Sequence, residues 1–525
     1  MMRLKAVLTC AGLLAGVFVA LSPTAAQAAP TRYEAESSPA VCTGTIDSNW
    51  SGYSGSGFCN ANNATGAGAQ FTVNAGAAGT ATVGVRFANG TTTARPADLI
   101  VNGSTVQSVS YEGTGTWDTW VTKTLTVTLR SGSNTVQLNP TTANGLPNVD
   151  YIDVEAGGTT PPPSGATLYV APNGRDGATG TQSDPTTLTS AITRIAAGGT
   201  IYVRGGTYNF SSTVTIAAGN NGTSSARKKL SAYPGETPIL NFSAQSEDSA
   251  NRGLALNGSY WHVYGVIVER AGDNGIFVGG SNNIIERTVT RFNRDTGLQL
   301  SRIASDTPRD QWPANNLILS ALSHDNADSD GEDADGFAAK LTVGSGNVFR
   351  YCVSRNNIDD GWDLYTKTDT GAIGAVTIED SLSYNNGTLS NGGQAGNGDR
   401  NGYKLGGEDI AVNHTIRRNI AYRNGKHGFT YNRNPGTMSV SDNVSIDNTE
   451  RNFSFDAGTS VFRNNVSCRS GSGTNDRIVG NSDSSNQFWS GSNGSRCSSY
   501  SGTLNWSFAS DGRLVVTFGG VPVTP

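Results

Sequence analysis

Aspartates crowd into two short stretches of this chain, and their spacing is that of a metal site. Asp359, Asp360 and Asp363 lie within five residues of one another, and Asp335 lies one repeat of the chain upstream. Carboxylates this close repel each other unless a cation lies among them. All the ligands on offer are oxygen donors, and Ca²⁺ is the hard cation that takes roughly six to eight of them. The sequence therefore predicts a calcium site at these four residues.

Such a site needs a scaffold that brings separate stretches together, and the composition indicates which kind. Glycine, asparagine, serine and threonine are abundant and only 15% of residues are charged, which favours short strands and many turns over helices. The net charge of −5 argues against nucleic acid as a partner. An acidic substrate is compatible with that charge if bound calcium supplies positive charge at the site.

The first residues have the pattern of a secretion signal. Arg3 and Lys5 precede an apolar run over 6–21, and Ala26-Gln27-Ala28 forms a small-x-small cleavage site. We therefore expect a signal peptide over 1–28 and a secreted, extracellular protein. A membrane anchor is the alternative, but the run is short for a span and no later stretch is apolar enough.

Cysteine positions suggest two disulfides, which a secreted chain permits. Cys42 and Cys59 would close a small loop early in the chain, and Cys468 and Cys497 would staple the C-terminal tail. Cys352 lies in an apolar strand pattern and is expected to be a buried free thiol. No Cys/His spacing suits zinc.

A stretch rich in proline, threonine and glycine at 157–166 predicts a linker between two domains. Before it, residues 31–156 carry alternating apolar and polar runs separated by glycine and asparagine, which predicts a small β-sandwich. The chain is thus expected to be all-β, with a longer second domain over 167–525.

An internal repeat is the strongest fold signal in the longer domain. Each copy starts with two alternating apolar positions, bends through polar residues and returns to an apolar one, at spacings that fit one coil of a parallel β-helix with loops of variable length. An antiparallel sandwich explains neither the single motif nor its drifting spacing. Asparagine tolerates left-handed backbone and can bond to the next coil, so a ladder at one corner is expected. Its members would be Asn293, Asn326, Asn356, Asn386, Asn424 and Asn448.

The longer domain resembles the family 9 polysaccharide lyases, pectate lyases built on a right-handed parallel β-helix. The segments that carry the resemblance are 168–174, 333–340, 359–365 and 401–407. The resemblance implies that the aspartates named above hold a catalytic calcium and that Lys404 is the base. Lys404 lies in an alternating strand whose small neighbours permit close approach of a substrate. Its rivals are Lys340, Lys367 and Lys426, and an ordinary surface lysine is the competing interpretation.

The first domain resembles the family 35 carbohydrate-binding modules, through Tyr33-Glu34-Ala35-Glu36, 85–90, 101–103 and 149–152. Such modules contain calcium, and several bind uronic acids. The resemblance implies that Glu34, Glu36 and Asp150 hold a structural calcium and that Trp117 and Asn148 lie near the sugar site.

The expected chemistry is β-elimination in an acidic polysaccharide. A base removes the proton at C5 of a uronate and the O4 leaving group departs, while calcium on the carboxylate stabilises the enolate-like state. We therefore expect a calcium-dependent pectate lyase, a monomer that acts on pectate (polygalacturonate, de-esterified homogalacturonan) and related uronic-acid polysaccharides. The alternatives are a lyase for alginate or rhamnogalacturonan, a non-catalytic β-helix that binds polysaccharide, and a glycoside hydrolase, which would use two separated carboxylates.

Overall fold

The computed structural model describes residues 30–75, 79–130, 132–156, 165–394 and 396–523. The chain divides into two compact units, Met1–Thr160 and Pro161–Pro525. The expected signal peptide lies outside the described residues, as does most of the expected linker. Within the described ranges, no helix is long and apolar enough to cross a membrane.

The N-terminal unit contains two antiparallel sheets, as predicted. Its strands are β1 (Thr31–Glu34), β2 (Val41–Cys42), β3 (Gly44–Asp47), β4 (Phe58–Ala61), β5 (Ala69–Ala75), β6 (Gly79–Ala88), β7 (Ala97–Val101), β8 (Ser104–Val109), β9 (Val121–Leu129), β10 (Gly132–Pro140) and β11 (Asn148–Ala156). The sheet orders are β3-β4-β11-β6-β9, with β1 beside β11, and β2-β5-β10-β7-β8. Alternation of side chains along strands such as β5 turns Phe71 and Val73 into the core between the sheets.

The C-terminal unit is a parallel β-helix with three long sheets, which confirms the predicted fold class. The first sheet runs β12 (Thr167–Val170), β13 (Thr200–Val203), β16 (Lys228–Ala232), β19 (Trp261–Tyr264), β22 (Ile284–Glu286), β25 (Leu317–Leu319), β28 (Asn347–Arg350), β31 (Val376–Glu379), β34 (Thr415–Arg417), β37 (Ser439–Ser441), β40 (Val461–Arg463), β43 (Asn481–Ser482). The second runs β14 (Gly206–Asn209), β17 (Pro238–Asn241), β20 (Ile267–Glu269), β23 (Val289–Arg291), β26 (Leu322–His324), β29 (Val353–Arg355), β32 (Leu382–Tyr384), β35 (Ile420–Tyr422), β38 (Val444–Ile446), β41 (Val466–Cys468).

The third sheet, which carries the candidate site, runs β15 (Val214–Ile216), β18 (Leu254–Leu256), β21 (Ile276–Val278), β24 (Leu298–Leu300), β27 (Phe337–Ala339), β30 (Trp362–Asp363), β33 (Tyr403–Lys404), β36 (Phe429–Thr430), β39 (Phe453–Phe455), β42 (Arg477–Ile478). Helical structure is sparse. In the described part of the chain it comprises α1 (Leu188–Arg194) and the 3₁₀ turns Arg309–Gln311 and Ser495–Tyr500.

An aromatic stack inside the coil anchors the strands of the third sheet. The ring centroids of Phe337, Trp362, Tyr403 and Phe429 follow one another at 4.9, 4.8 and 4.6 Å. Because successive side chains of a strand point to opposite faces, the residue after each inward ring points outward. Asp363 follows Trp362 and Lys404 follows Tyr403, and the two are paired in adjacent strands, so both side chains lie on one outer face.

The asparagine ladder forms with one correction. Asn357, rather than Asn356, is the rung: its amide donates to Asn386 Oδ1 at 2.9 Å, and its Oδ1 accepts from Asn326 Nδ2 at 2.8 Å. Asn356 instead occupies the left-handed corner before the rung, with φ of 53°, and its amide donates to the carbonyl of Thr388. Left-handed backbone and ladder bonding, which the sequence assigned to one residue, belong to two successive residues.

The tail beyond the last coil forms its own antiparallel sheet of β44 (Leu504–Phe508), β45 (Leu514–Phe518) and β46 (Val521–Val523). Val516 and Phe518 pack in one cluster with Val353, Leu382 and Ile420 of the second sheet. The coils therefore end before the boundary of the expected β-helix domain. Disulfides join Cys42 to Cys59 and Cys468 to Cys497, and Cys352 is a buried free thiol, each as expected.

Candidate active site

Three of the four predicted metal ligands meet at the edge of the third sheet. Carboxylate oxygens of Asp335, Asp359 and Asp360 lie within 4.8 Å of one another. Asp335 precedes β27, and the other two precede β30 on the next coil. All three side chains are buried, as is that of Asp363. Asp363 is linked to the group by Lys340, whose Nζ lies 2.8 Å from Asp335 and 3.5 Å from Asp363.

Backbone amides donate to one oxygen each of Asp335, Asp359 and Asp360. Asp360 N donates to Asp335 Oδ1 at 3.2 Å, Arg400 N to Asp359 Oδ1 at 3.1 Å, and Asn401 N to Asp360 Oδ1 at 2.5 Å. Asp360 Oδ2 and Asp363 Oδ1 are buried and accept no hydrogen bond. Buried polar oxygens are normally satisfied, so these two are suited to a cation.

The charge balance of the cluster also fits a divalent cation. Asp335, Asp359, Asp360, Asp363 and Asp399 contribute five carboxylates, and the lysines in contact with them, Lys340, Lys404 and Lys426, contribute three ammonium groups, so the formal charge is −2. Burial, with repulsion between neighbouring carboxylates, raises the pKa of Asp335 to about 7 and of Asp360 to about 8. It also raises the pKa of Asp359 well above its usual range. An oxygen-only donor set of this charge would hold calcium.

Lys404 lies directly beside these carboxylates. Its Nζ is 3.1 Å from Asp399, 3.3 Å from Asp360 and 3.7 Å from Asp363, and its side chain is 11% exposed. Burial lowers the pKa of Lys404, but the surrounding carboxylates outweigh burial and hold the pKa well above its ordinary value. A base must be neutral, so Lys404 would need a cation that offsets those carboxylate charges.

The cleft over Lys404 has a volume of about 500 Å³, and Lys340, Asp363, Tyr365, Lys367 and Arg433 are among its lining residues. Lys340, one rival base, is buried against Asp335. Lys426, another rival, contacts Asp399 at 2.8 Å. Lys367, the third, is exposed at the cleft wall.

In the N-terminal unit, the three predicted calcium ligands gather around one turn. Ser54 N donates to both oxygens of Asp150 at 3.0 Å, Ser54 Oγ donates to Glu34, and Ser56 N donates to Glu36 at 2.9 Å. Glu34 Oε2 and Glu36 Oε2 are buried without a hydrogen-bond partner, and burial raises the pKa of Asp150 to about 6. The donor set is again compatible with calcium.

Trp117 and Asn148 are placed differently from one another. Trp117 is half-buried and packs so closely on Gly90 that a Cβ there would lie 2.5 Å from the indole. Asn148 is buried at the start of β11, paired with Ala88. Of the two residues, only Trp117 is partly accessible to solvent.

Comparisons with known proteins agree with this arrangement. Residues 168–465 match the family described as Pel9A-like, right handed beta helix region. The chain belongs to this family. Membership confirms the expected enzyme class, a polysaccharide lyase. Residues 37–156 match the carbohydrate binding module (family 6) model, which confirms a module of the family 6 and 35 type.

Two curated relatives and one solved structure that this chain resembles are named pectate lyases. Pectate lyase L of Paenibacillus polymyxa is 54% identical over 353 residues, 66% of this chain and 78% of that protein. Pectate lyase L of Thermoclostridium stercorarium is 44% identical over 293 residues, 55% of this chain and 23% of that protein. The crystal structure of pectate lyase Pel9A superposes with a TM-score of 0.54 at 31% identity, covering 61% of this chain and 79% of that chain.

Two residues that contact the candidate site residues were not singled out from the sequence. Asp399, in the glycine- and asparagine-rich segment before Lys404, touches the candidate base. Arg95 lies over the Trp117 ring at 5.2 Å and donates to Asn63 and to the Leu146 carbonyl, with no carboxylate partner among the described residues. Both stand in loops without periodicity, and only the short distance of Asp399 from the 401–407 segment could have drawn attention to it.

Proposed function

We propose that this chain is a secreted, monomeric, calcium-dependent pectate lyase that cleaves de-esterified homogalacturonan by β-elimination, with Lys404 as the base. The single observation that carries the proposal is the contact of Lys404 Nζ with a buried aspartate cluster in an open cleft. Names of the relatives support the substrate, since both curated relatives above and the solved structure are pectate lyases. The signal pattern at the N-terminus supports secretion.

Asp335, Asp359, Asp360 and Asp363 would hold the calcium. When bound, the calcium would neutralise the substrate carboxylate as negative charge develops beside that carboxylate. Lys404 takes the C5 proton at Nζ, the C5–H electron pair forms the C4–C5 double bond, and the C4–O4 bond breaks. Lys404 must be neutral to accept a proton, so the rate should rise with pH above neutrality.

Geometry argues against hydrolysis. Hydrolases place an acid and a second carboxylate roughly 5 to 9.5 Å apart across the scissile bond. Here three carboxylates lie within 4.8 Å of one another, which leaves no room for a sugar oxygen and a water between them. A non-catalytic binder would not need a buried lysine beside those carboxylates. Assays on alginate and on rhamnogalacturonan distinguish these two polysaccharides from pectate as the substrate.

The N-terminal module is proposed to bind uronic-acid sugars. Arg95 supports this, because a guanidinium without a carboxylate partner among the described residues, beside the half-buried Trp117 ring, matches an anionic sugar. Burial lowers the pKa of Arg95.

The test is release of unsaturated product from polygalacturonate with calcium, followed by ultraviolet absorbance. Lys404→Ala should lower kcat about a hundred- to ten-thousand-fold. Lys404→Arg should not restore kcat, because the guanidinium group stays protonated. Lys229, an exposed lysine of the first sheet, provides the matched control: Lys229→Ala should keep wild-type kcat. A Lys404→Ala enzyme with substantial kcat would mean that the base is another residue. Activity on alginate but not on pectate would mean that alginate, rather than pectate, is the substrate.

A further inference from the structure

Asp399 links two lysines at the mouth of the cleft. Its Oδ2 lies 3.1 Å from Lys404 Nζ and its Oδ1 lies 2.8 Å from Lys426 Nζ. The two oxygens of one carboxylate thus contact two different ammonium groups. Lys426 comes from the coil after that of Lys404, so the carboxylate joins neighbouring coils.

The backbone of Asp399 is fixed independently of its side chain. Its amide N donates to Asp359 Oδ1, and the next amide, of Arg400, donates to the same oxygen at 3.1 Å. Lys426 N also donates to the Arg400 carbonyl at 3.0 Å. The carboxylate is therefore held at its base and at both oxygens, although its side chain is 38% exposed.

Asp399 differs from the other carboxylates around Lys404. Asp363 Oδ1 is buried and accepts no hydrogen bond, and Asp360 Oδ2 is buried 3.3 Å from Lys404 Nζ, so these two oxygens would serve the cation. Both oxygens of Asp399 are instead committed to lysines. Once the cluster holds its cation, Asp399 is the carboxylate left to orient Lys404 Nζ.

We propose that Asp399 is a positioning residue for the base, itself oriented by Lys426. The inference rests on the proposed function of Lys404. A lysine amine at the end of four methylene groups has many orientations, and misplacement by about 1 Å can cost on the order of a hundredfold in rate. The Asp399 carboxylate accepts one N–H of Lys404, which directs the amine toward the cleft, and it pairs with the ammonium that forms after proton transfer. Lys426 thus acts through Asp399.

The experiment uses the full chain and four variants on polygalacturonate: Asp399→Asn, Asp399→Glu, Lys426→Gln and the double variant Lys404→Ala/Asp399→Asn. Asp399→Asn should lower kcat about 10- to 100-fold, while KM and the calcium concentration for half-maximal activity stay within about twofold. Asp399→Glu should recover part of kcat because it restores the charge. Lys426→Gln should lower kcat by about 3- to 10-fold, since Asp399 loses one of two anchors. The double variant should be no slower than Lys404→Ala alone.

Asp511→Asn is the matched control, because Asp511 is an exposed aspartate paired locally with Arg513, and it should leave all three constants unchanged. Wild-type kcat in Asp399→Asn beside an inactive Lys404→Ala would overturn the positioning role and leave the proposed function intact. An active Lys404→Ala enzyme would overturn both. A purely structural role would be shown if melting temperature, KM and calcium response moved together and Asp399→Glu did no better than Asp399→Asn. A double variant slower than Lys404→Ala would show that Asp399 acts other than through Lys404.

Discussion

Because of the crowded aspartates at the third sheet, we expect the stability of the protein to depend on pH and on calcium together. Burial raises the pKa of Asp335 to about 7 and of Asp360 to about 8, whereas both titrate near 4 in an unfolded chain. In chelator the folded protein therefore binds more protons than the unfolded chain between about pH 4 and 8, and the free energy of unfolding falls as pH rises through that window. Calcium competes with those protons, so it should raise the melting temperature more at pH 8 than at pH 5.

Calorimetry with calcium and with EDTA at the two pH values measures this difference. Asp360→Asn removes one carboxylate charge and should reduce the calcium-dependent rise at pH 8, and Asp511→Asn should not. Chelation should also abolish activity and calcium should restore it. A calcium-dependent rise that is equal at both pH values, or larger at pH 5, would contradict the assignment of these carboxylates as ligands.

Individual site residues could be predicted from the sequence where both the residue types and the spacing between them were unusual. The four aspartates and Lys404 stand in strand-edge segments of the repeat, and the structure brings them to one cleft. Asp399 reaches Lys404 because the preceding loop folds back, through Ser390 N bonded to Asp325 at 2.7 Å. Such a long-range loop contact has no local signature in the sequence.

At the scale of elements, the coils are joined by buried asparagine side chains that bond from one coil to the next. Asn357 accepts from Asn326 and donates to Asn386, Ser354 and the Ser323 carbonyl. Asn357→Ala leaves several buried groups unsatisfied and should reduce the free energy of unfolding of the C-terminal unit by about 2 to 4 kcal/mol. Denaturant unfolding measures it. Asn356→Gly, the adjacent control, keeps the left-handed corner and loses only the bonds of the Asn356 side chain to the Thr388 carbonyl and from Arg355, so it should cost about 1 kcal/mol or less. A larger loss in Asn356→Gly would restore Asn356 as the rung.

Periodicity made the parallel coils predictable, because each inward apolar position recurs in every repeat. At one rung the predicted ladder residue was off by one position. The left-handed corner and the rung are neighbours there, at 356 and 357, and both are asparagine. The antiparallel tail sheet was not separated from the coils, although Leu504, Trp506 and Phe508 alternate. Its role follows from packing on Val353 and Leu382, which are far away in sequence.

At the scale of the whole molecule, the two units have separate cores, so each should fold and act alone. The isolated module 31–156 should bind polygalacturonate and bind neutral galactan less, because Arg95 beside Trp117 offers charge as well as an aromatic face. Arg95→Lys keeps the charge but loses the planar fork that matches a carboxylate, and it should weaken pectate binding at least about tenfold.

Arg130→Lys, a change at an exposed arginine of the same module, should have no effect. Affinity electrophoresis in gels with each polymer gives the comparison, and melting temperatures show that the variants fold. Equal retention of wild-type module in both polymers would make it a binder of neutral glycans, and unchanged pectate binding in Arg95→Lys would place the uronate site away from Trp117.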